Sequence, residues 1–175
     1  MPESSFDDGD VDRVLAYVME ARPDTGELAR SLLERGGLVI EAWGPLQMAV
    51  YHLEVRRGNW EVMFHSERGH VEAASFRRAG PPTREKCRPI GLAVLAWARS
   101  HDVTFRLETL ADLDQDLAAH GADALDWLDA GNEPVVERLY QAWWDGVQRI
   151  GYSSARLRDP QLAADVIARL EEAAR

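Results

Sequence analysis

The sequence predicts an α+β fold: an antiparallel sheet of about five strands with N-terminal and C-terminal helices packed on it. Three patterns lead there. Apolar residues recur with the 3.6-residue period of a helix near both ends of the chain. Residues 38–76 instead alternate with the period of two that a half-buried strand requires. Glycine-containing turns separate those strands at hairpin spacing, which is the signature of an antiparallel meander with one face on a core.

Asp10 is placed to cap a first helix that buries Val11, Val14, Leu15 and Val18, and Pro23 stops it. A second helix starts at Asp24 or Thr25, buries Leu28, Leu32 and Leu33, and ends at Gly36-Gly37. Leu38–Trp43 reads as a strand broken by Gly44-Pro45, and Leu46–Arg56 as a longer one. In the latter the apolar positions change phase, from Leu46, Met48 and Val50 to Tyr51, Leu53 and Val55, which predicts a bulge near Val50–His52. Gly58-Asn59 turns the chain into a strand carrying Trp60, Val62 and Phe64. Glu67-Arg68-Gly69 turns it again, and Val71–Phe76 pairs back. After the Gly80-Pro81-Pro82 loop, Pro89 opens a helix over Ile90–Ser100 that is apolar nearly all round. Val103–Leu107 is a fifth strand, short acidic helices cover 110–119 and 122–129, and Pro134 opens a helix with the stripe Val136, Leu139, Tyr140, Trp143, Val147, Ile150 and Trp144 at its margin. A last helix runs from Pro160 to about Ala174. The 175 residues are read as one domain, residues 1–175, with the Gly80–Pro82 loop as the sole candidate boundary.

Charge is spread unevenly. Residues 102–137 hold ten acidic side chains against one basic, Arg106, a net −9 where the whole chain carries −10. The first twelve residues add five acids and no base. Such a field attracts and orients a cationic partner. It speaks against nucleic acid and against anionic membrane surfaces, both of which call for a basic footprint. The N-terminus has no basic and apolar leader, no run approaches a bilayer span, and the single Cys87 excludes an internal disulfide, so a reducing cytoplasm is the expected compartment. Nineteen arginines against one lysine read as coding bias.

Chemical motifs are weak. His65 and His70 flank one turn, with Glu61 or Glu67 near them, but two histidines make no zinc site without a third ligand, and no HExxH or CxxC spacing occurs. Asp112, Asp114 and Asp116 alternate like a calcium loop, yet Leu117 stands where its glycine belongs and Asp123 where its glutamate belongs. Cys87 lies among cations without an assignable base, and no nucleophile elbow or phosphate loop is present. The reading assigns no catalytic residue, no metal and no cofactor. Of the six tryptophans, Trp43 and Trp60 sit at strand ends, where an exposed indole beside acids is a typical binding hot spot.

Two helices, a hairpin-rich sheet and then mostly helix, with Gly36-Gly37-Leu38-Val39-Ile40-Glu41-Ala42-Trp43-Gly44 followed by the Met48–Arg56 and Trp60–Phe64 strands, resemble the immunity proteins of bacterial toxin systems. The similarity is closest to the immunity factor of the mycobacterial tuberculosis necrotizing toxin, a secreted NAD(P) glycohydrolase. It implies a catalytically silent antitoxin, monomeric alone and paired 1:1 with a toxin whose NAD-binding cleft is basic. The expected contact residues are Glu67, Arg68 and Gly69 at a hairpin tip, Asp112, Asp114, Asp116, Asp126 and Asp129 as an acidic flank, and Trp60. The alternative is a secretion chaperone or acidic adaptor for a basic protein, which would dimerise.

Overall fold

The computed structural model describes residues 8–46, 50–67, 70–71, 74–80, 90–92, 94–95, 98, 121–129, 131–150 and 160–175. The arrangement is α+β, as the periodicities require. The chain groups into two compact units, Met1–Leu92 and Ala93–Arg175. The dividing point falls ten residues beyond Pro82, the end of the one loop with boundary composition.

In the first unit, α1 (Asp8–Ala21) and α2 (Pro23–Glu34) precede a sheet of β1 (Leu38–Leu46), β2 (Val50–Arg57), β3 (Trp60–Glu67), β4 (His70–Val71), β5 (Ser75–Arg78) and β6 (Ile90–Gly91). The strand order is β1-β2-β3-β5-β6, all antiparallel, with the two-residue β4 also on β3. Asp10 lies inside α1 and pairs with Arg13 at 2.5 Å, so it does not cap the helix. Pro23 does not merely end α1. Its fixed φ and missing N–H let it open α2. The end of α2 follows the expected route: Gly36 takes φ +83°, its N–H donates to the Leu33 carbonyl at 2.9 Å, and Gly37 donates to Leu32 at 3.0 Å.

The core lies between these helices and one sheet face. Val14, Val18, Leu28 and Leu32 on the helices meet Tyr51, Leu53, Val55, Val62, Phe64 and Phe76 on the strands, all buried. Tyr17 packs edge-on against Tyr51 at 5.9 Å. Each such side chain contributes about 1.5–3 kcal/mol by leaving water. Ile90, expected to be helical, is extended and pairs with Phe76, where its β-branched side chain completes the same buried face.

The bulge is in a different strand from the one expected. β2 pairs with β3 without interruption from Tyr51↔Ser66 to Arg57↔Trp60. The irregularities fall in β1, between Val39 and Glu41 and between Trp43 and Leu46, where β1 each time spends one residue more than β2. The phase change read from the sequence therefore marks the end of one strand and the start of the next. Gly44 and Pro45 stay inside β1 across a cis peptide bond, and Arg13 Nε ties α1 to the Gly44 carbonyl at 2.9 Å.

In the second unit, residues 121–127 form α3, Glu133–Ile150 form α4 and Pro160–Ala174 form α5. Val136, Leu139, Tyr140 and Trp144 form the buried stripe of α4, while Trp143 is half-buried, the reverse of the expected order for the two indoles. The 3.6 period carries the stripe from 136 through 140 to 144. Gly146 approaches Val166 of α5, and Arg138 Nε donates to the Ala173 carbonyl at 3.2 Å. The expected strand 103–107 and the helix 110–119 lie outside the described residues.

Candidate functional site

The sheet face opposite α1 and α2 carries the chemistry. On β2 the even positions His52, Glu54 and Arg56 point away from the core that Tyr51, Leu53 and Val55 fill. Across β3 they meet His65, Met63 and Glu61 in register, and Glu61 in turn faces Arg77 on β5. Glu54 and Glu61 are each only 3 % exposed. Two carboxylates out of water need cations, and Arg77 serves both: Nη2 donates to Glu54 Oε1 at 2.7 Å and Nε to Glu61 Oε2 at 3.1 Å. Arg56 closes on Glu61 Oε1 from the other side. Burial pushes the Glu54 carboxyl up, but the His52 imidazole, the adjoining Glu61 and the charge and hydrogen bond of Arg77 outweigh it and hold its pKa at about 2. Burial likewise opposes the Arg77 charge, and the two carboxylates overcome that opposition and raise its pKa.

β1 extends this face to the sheet edge. Its two added residues change what the strand displays. In a regular strand Leu38 and Leu46 would point to one side and Glu41 and Trp43 to the other. The register instead sets Leu38 opposite Arg56, Glu41 opposite Glu54, Trp43 opposite His52 and Leu46 opposite Val50, which puts all four on the polar side. Leu38 (62 %), Trp43 (37 %) and Leu46 (60 %) are the large apolar side chains left exposed among the described residues. Trp43 stacks on the His52 ring at 5.6 Å with planes 20° apart, and its Nε1–H donates to Glu41 Oε1 at 3.1 Å. The His65 ring lies 6.2 Å from that of His52 on the other side.

Glu41, His52 and Glu54 thus converge. His52 Nε2 lies 3.5 Å from Glu54 Oε2 and 3.7 Å from Glu41 Oε2, and the three ligand atoms fall within 4.8 Å of one another.

The expected contact residues fare differently. Trp60 is 2 % exposed and edge-on to Phe76, because its side chain falls on the helix-facing side of β3; it is a core residue and not a surface contact. Of the two strand-end indoles it is Trp43 that is exposed. Glu67 pairs with His70 between β3 and β4, while Arg68 and Gly69 lie outside the described residues. Asp112, Asp114 and Asp116 lie outside them as well. Asp126 and Asp129 are half-buried in the second unit, where Asn132 Nδ2 donates to the Asp126 carbonyl at 2.9 Å. The residues missed by sequence reasoning are Glu41, His52 and Glu54. The alternation on β2 already joins His52 and Glu54; the bulge that brings Glu41 to them has no sequence mark. Comparison with protein-family models, with curated proteins and with solved structures finds no match. No described helix is long and apolar enough to cross a membrane.

Proposed function

We propose that this chain is a protein-binding module of the immunity type, which occludes the cationic active-site cleft of a secreted NAD-hydrolysing toxin. The observation that carries the reading is the edge strand β1, which presents Leu38, Trp43 and Leu46 beside the Glu41 carboxylate on one face. An indole ringed by apolar and acidic groups is the composition of a binding hot spot. The net charge of −10 supplies long-range attraction toward a basic cleft that must hold a pyrophosphate. The toxin class rests on the resemblance described above, and the contact surface on the geometry of β1.

Co-expression tests both. A cell making an NAD-hydrolysing toxin domain of the necrotizing-toxin type keeps its NAD and grows when this chain is present. Trp43→Ala combined with Leu46→Ser removes that protection while the purified variant keeps the wild-type circular dichroism. If NAD collapses equally with and without the wild-type chain, the toxin class is wrong. If the double variant protects as well as wild type, β1 is not the contact.

A further inference from the structure

The geometry points to a divalent transition-metal site at Glu41, His52 and Glu54. This inference is independent of the proposed partner. A hydrogen bond from His52 Nε2 to either carboxylate would need an N···O distance near 2.9 Å. The observed 3.5 and 3.7 Å are too long, and Nε2 is a buried atom without a hydrogen-bond partner. Metal–ligand bonds of about 2.0–2.2 Å place neighbouring ligands roughly 3.0–3.4 Å apart, so the two His52–carboxylate distances need to close by only a few tenths of an ångström, while the two carboxylate oxygens, within 4.8 Å of each other, are brought together by movement of the half-exposed Glu41 side chain.

The groups behind the ligands are already arranged for this. Each carboxylate is held at one oxygen by an N–H donor and turns the other toward His52. Arg77 holds Glu54 Oε1 and leaves Oε2 facing Nε2; the Trp43 indole holds Glu41 Oε1 and leaves Oε2 facing Nε2. Anchoring one oxygen of a ligating carboxylate in this way is how outer groups orient metal ligands. The imidazole is fixed between the Trp43 and His65 rings. Glu41 is half exposed at the sheet edge and opens a route from solvent. One imidazole and two carboxylates suit zinc, manganese or ferrous iron, with water completing the shell.

The experiment is titration of the metal-free full-length protein with Zn²⁺ by calorimetry at pH 7, repeated with Mn²⁺. The wild-type protein binds one ion per chain, and His52→Ala and Glu41→Gln each weaken that site by tenfold or more, while the metal-free variants keep the wild-type circular dichroism. Glu27→Gln, on α2, leaves it unchanged. Co²⁺ in place of Zn²⁺ gives a visible absorption band that His52→Ala abolishes. Zn²⁺ and Mn²⁺ binding that is equal in wild type, His52→Ala and Glu41→Gln overturns the site, as does the absence of one-to-one binding of either ion to the wild-type protein.

Discussion

Replacing Arg77 by Met isolates the charge that holds the polar sheet face together. Methionine keeps the apolar stem of the arginine and removes only the guanidinium. Glu61 retains Arg56, whereas Glu54, 3 % exposed, loses its guanidinium partner and is left beside the His52 imidazole and the adjoining Glu61. Stranding a buried carboxylate costs about 3–5 kcal/mol, and the partial exposure of Arg77 sets the expectation at the low end, about 3 kcal/mol. With a urea slope of about 2 kcal/mol/M, the unfolding midpoint falls by about 1.5 M. The effect depends on pH in a defined direction. In the wild-type protein the Glu54 pKa is depressed from 4.5 to about 2, so its contribution of roughly 3 kcal/mol is complete above pH 4.5 and is lost as pH falls toward 2. Without Arg77 the guanidinium's charge and hydrogen bond no longer lower the Glu54 carboxyl, so its pKa moves up from the wild-type position. Its penalty is full at pH 7 and disappears once it takes a proton. The gap between variant and wild type therefore holds near neutral pH and narrows as pH falls through the acid range toward 2. Adding Glu54→Gln to the variant recovers part of the loss at pH 7. A cost below about 1 kcal/mol at pH 7, or a gap that does not narrow as pH falls toward 2, refutes the account of this face.

Three further outcomes follow from the geometry. Gly26→Ala on α2 raises helix propensity by about 1 kcal/mol, yet its Cβ would sit 2.8 Å from the Met19 Cα of α1 and force the helices apart; thermal melting shows a net loss of about 1 kcal/mol. Gly44→Ala meets a φ of +106° and places a Cβ 2.7 Å from the Val50 carbonyl oxygen and 2.9 Å from Tyr51 Cα, all backbone, so urea unfolding shows a loss of about 3 kcal/mol. Reversing Asp112, Asp114 and Asp116 to Lys slows association with an NAD-hydrolysing toxin domain in stopped flow, more at low salt than at physiological salt, and leaves the fold intact.

The N-terminal helices and the β2–β3 hairpin were legible because each position along them repeats one rule. Val14 and Val18 mark a helix face, Tyr51, Leu53 and Val55 a strand face, and Gly36 a helix end. Two kinds of error came from places where two local rules compete. Pro23 both stops one helix and starts the next, and Ile90 after Pro89 fits a helix start or a strand equally well until Phe76 is found opposite it. Trp60 and Trp43 are indistinguishable as strand-end indoles; which one is buried depends on strand register against α1, a long-range property. The site was hidden for the same reason. Its three ligating groups come from two strands, and the extra residue between Val39 and Glu41 that aligns them leaves no trace in the alternation, since Val39, Ile40 and Ala42 are apolar on either side of it.

The two irregularities of β1 also bear on why this edge exists at all. An outer strand with free N–H and C=O groups invites unwanted pairing, and bulges commonly blunt it by bending the strand and spoiling its regularity. Protection of that kind is usually joined to charged or inward-turned side chains at the edge. Here the added residues do the opposite with the side chains: they collect Leu38, Trp43 and Leu46 on the outer part of one face and turn Glu41 in among them. A bulge that disrupts backbone pairing while concentrating exposed apolar groups disfavours strand addition and favours side-chain docking. Under the proposed function, the partner would then be recognised through a surface, with the indole at its centre, and not through an added strand. That is the geometry an inhibitor of a preformed cleft requires.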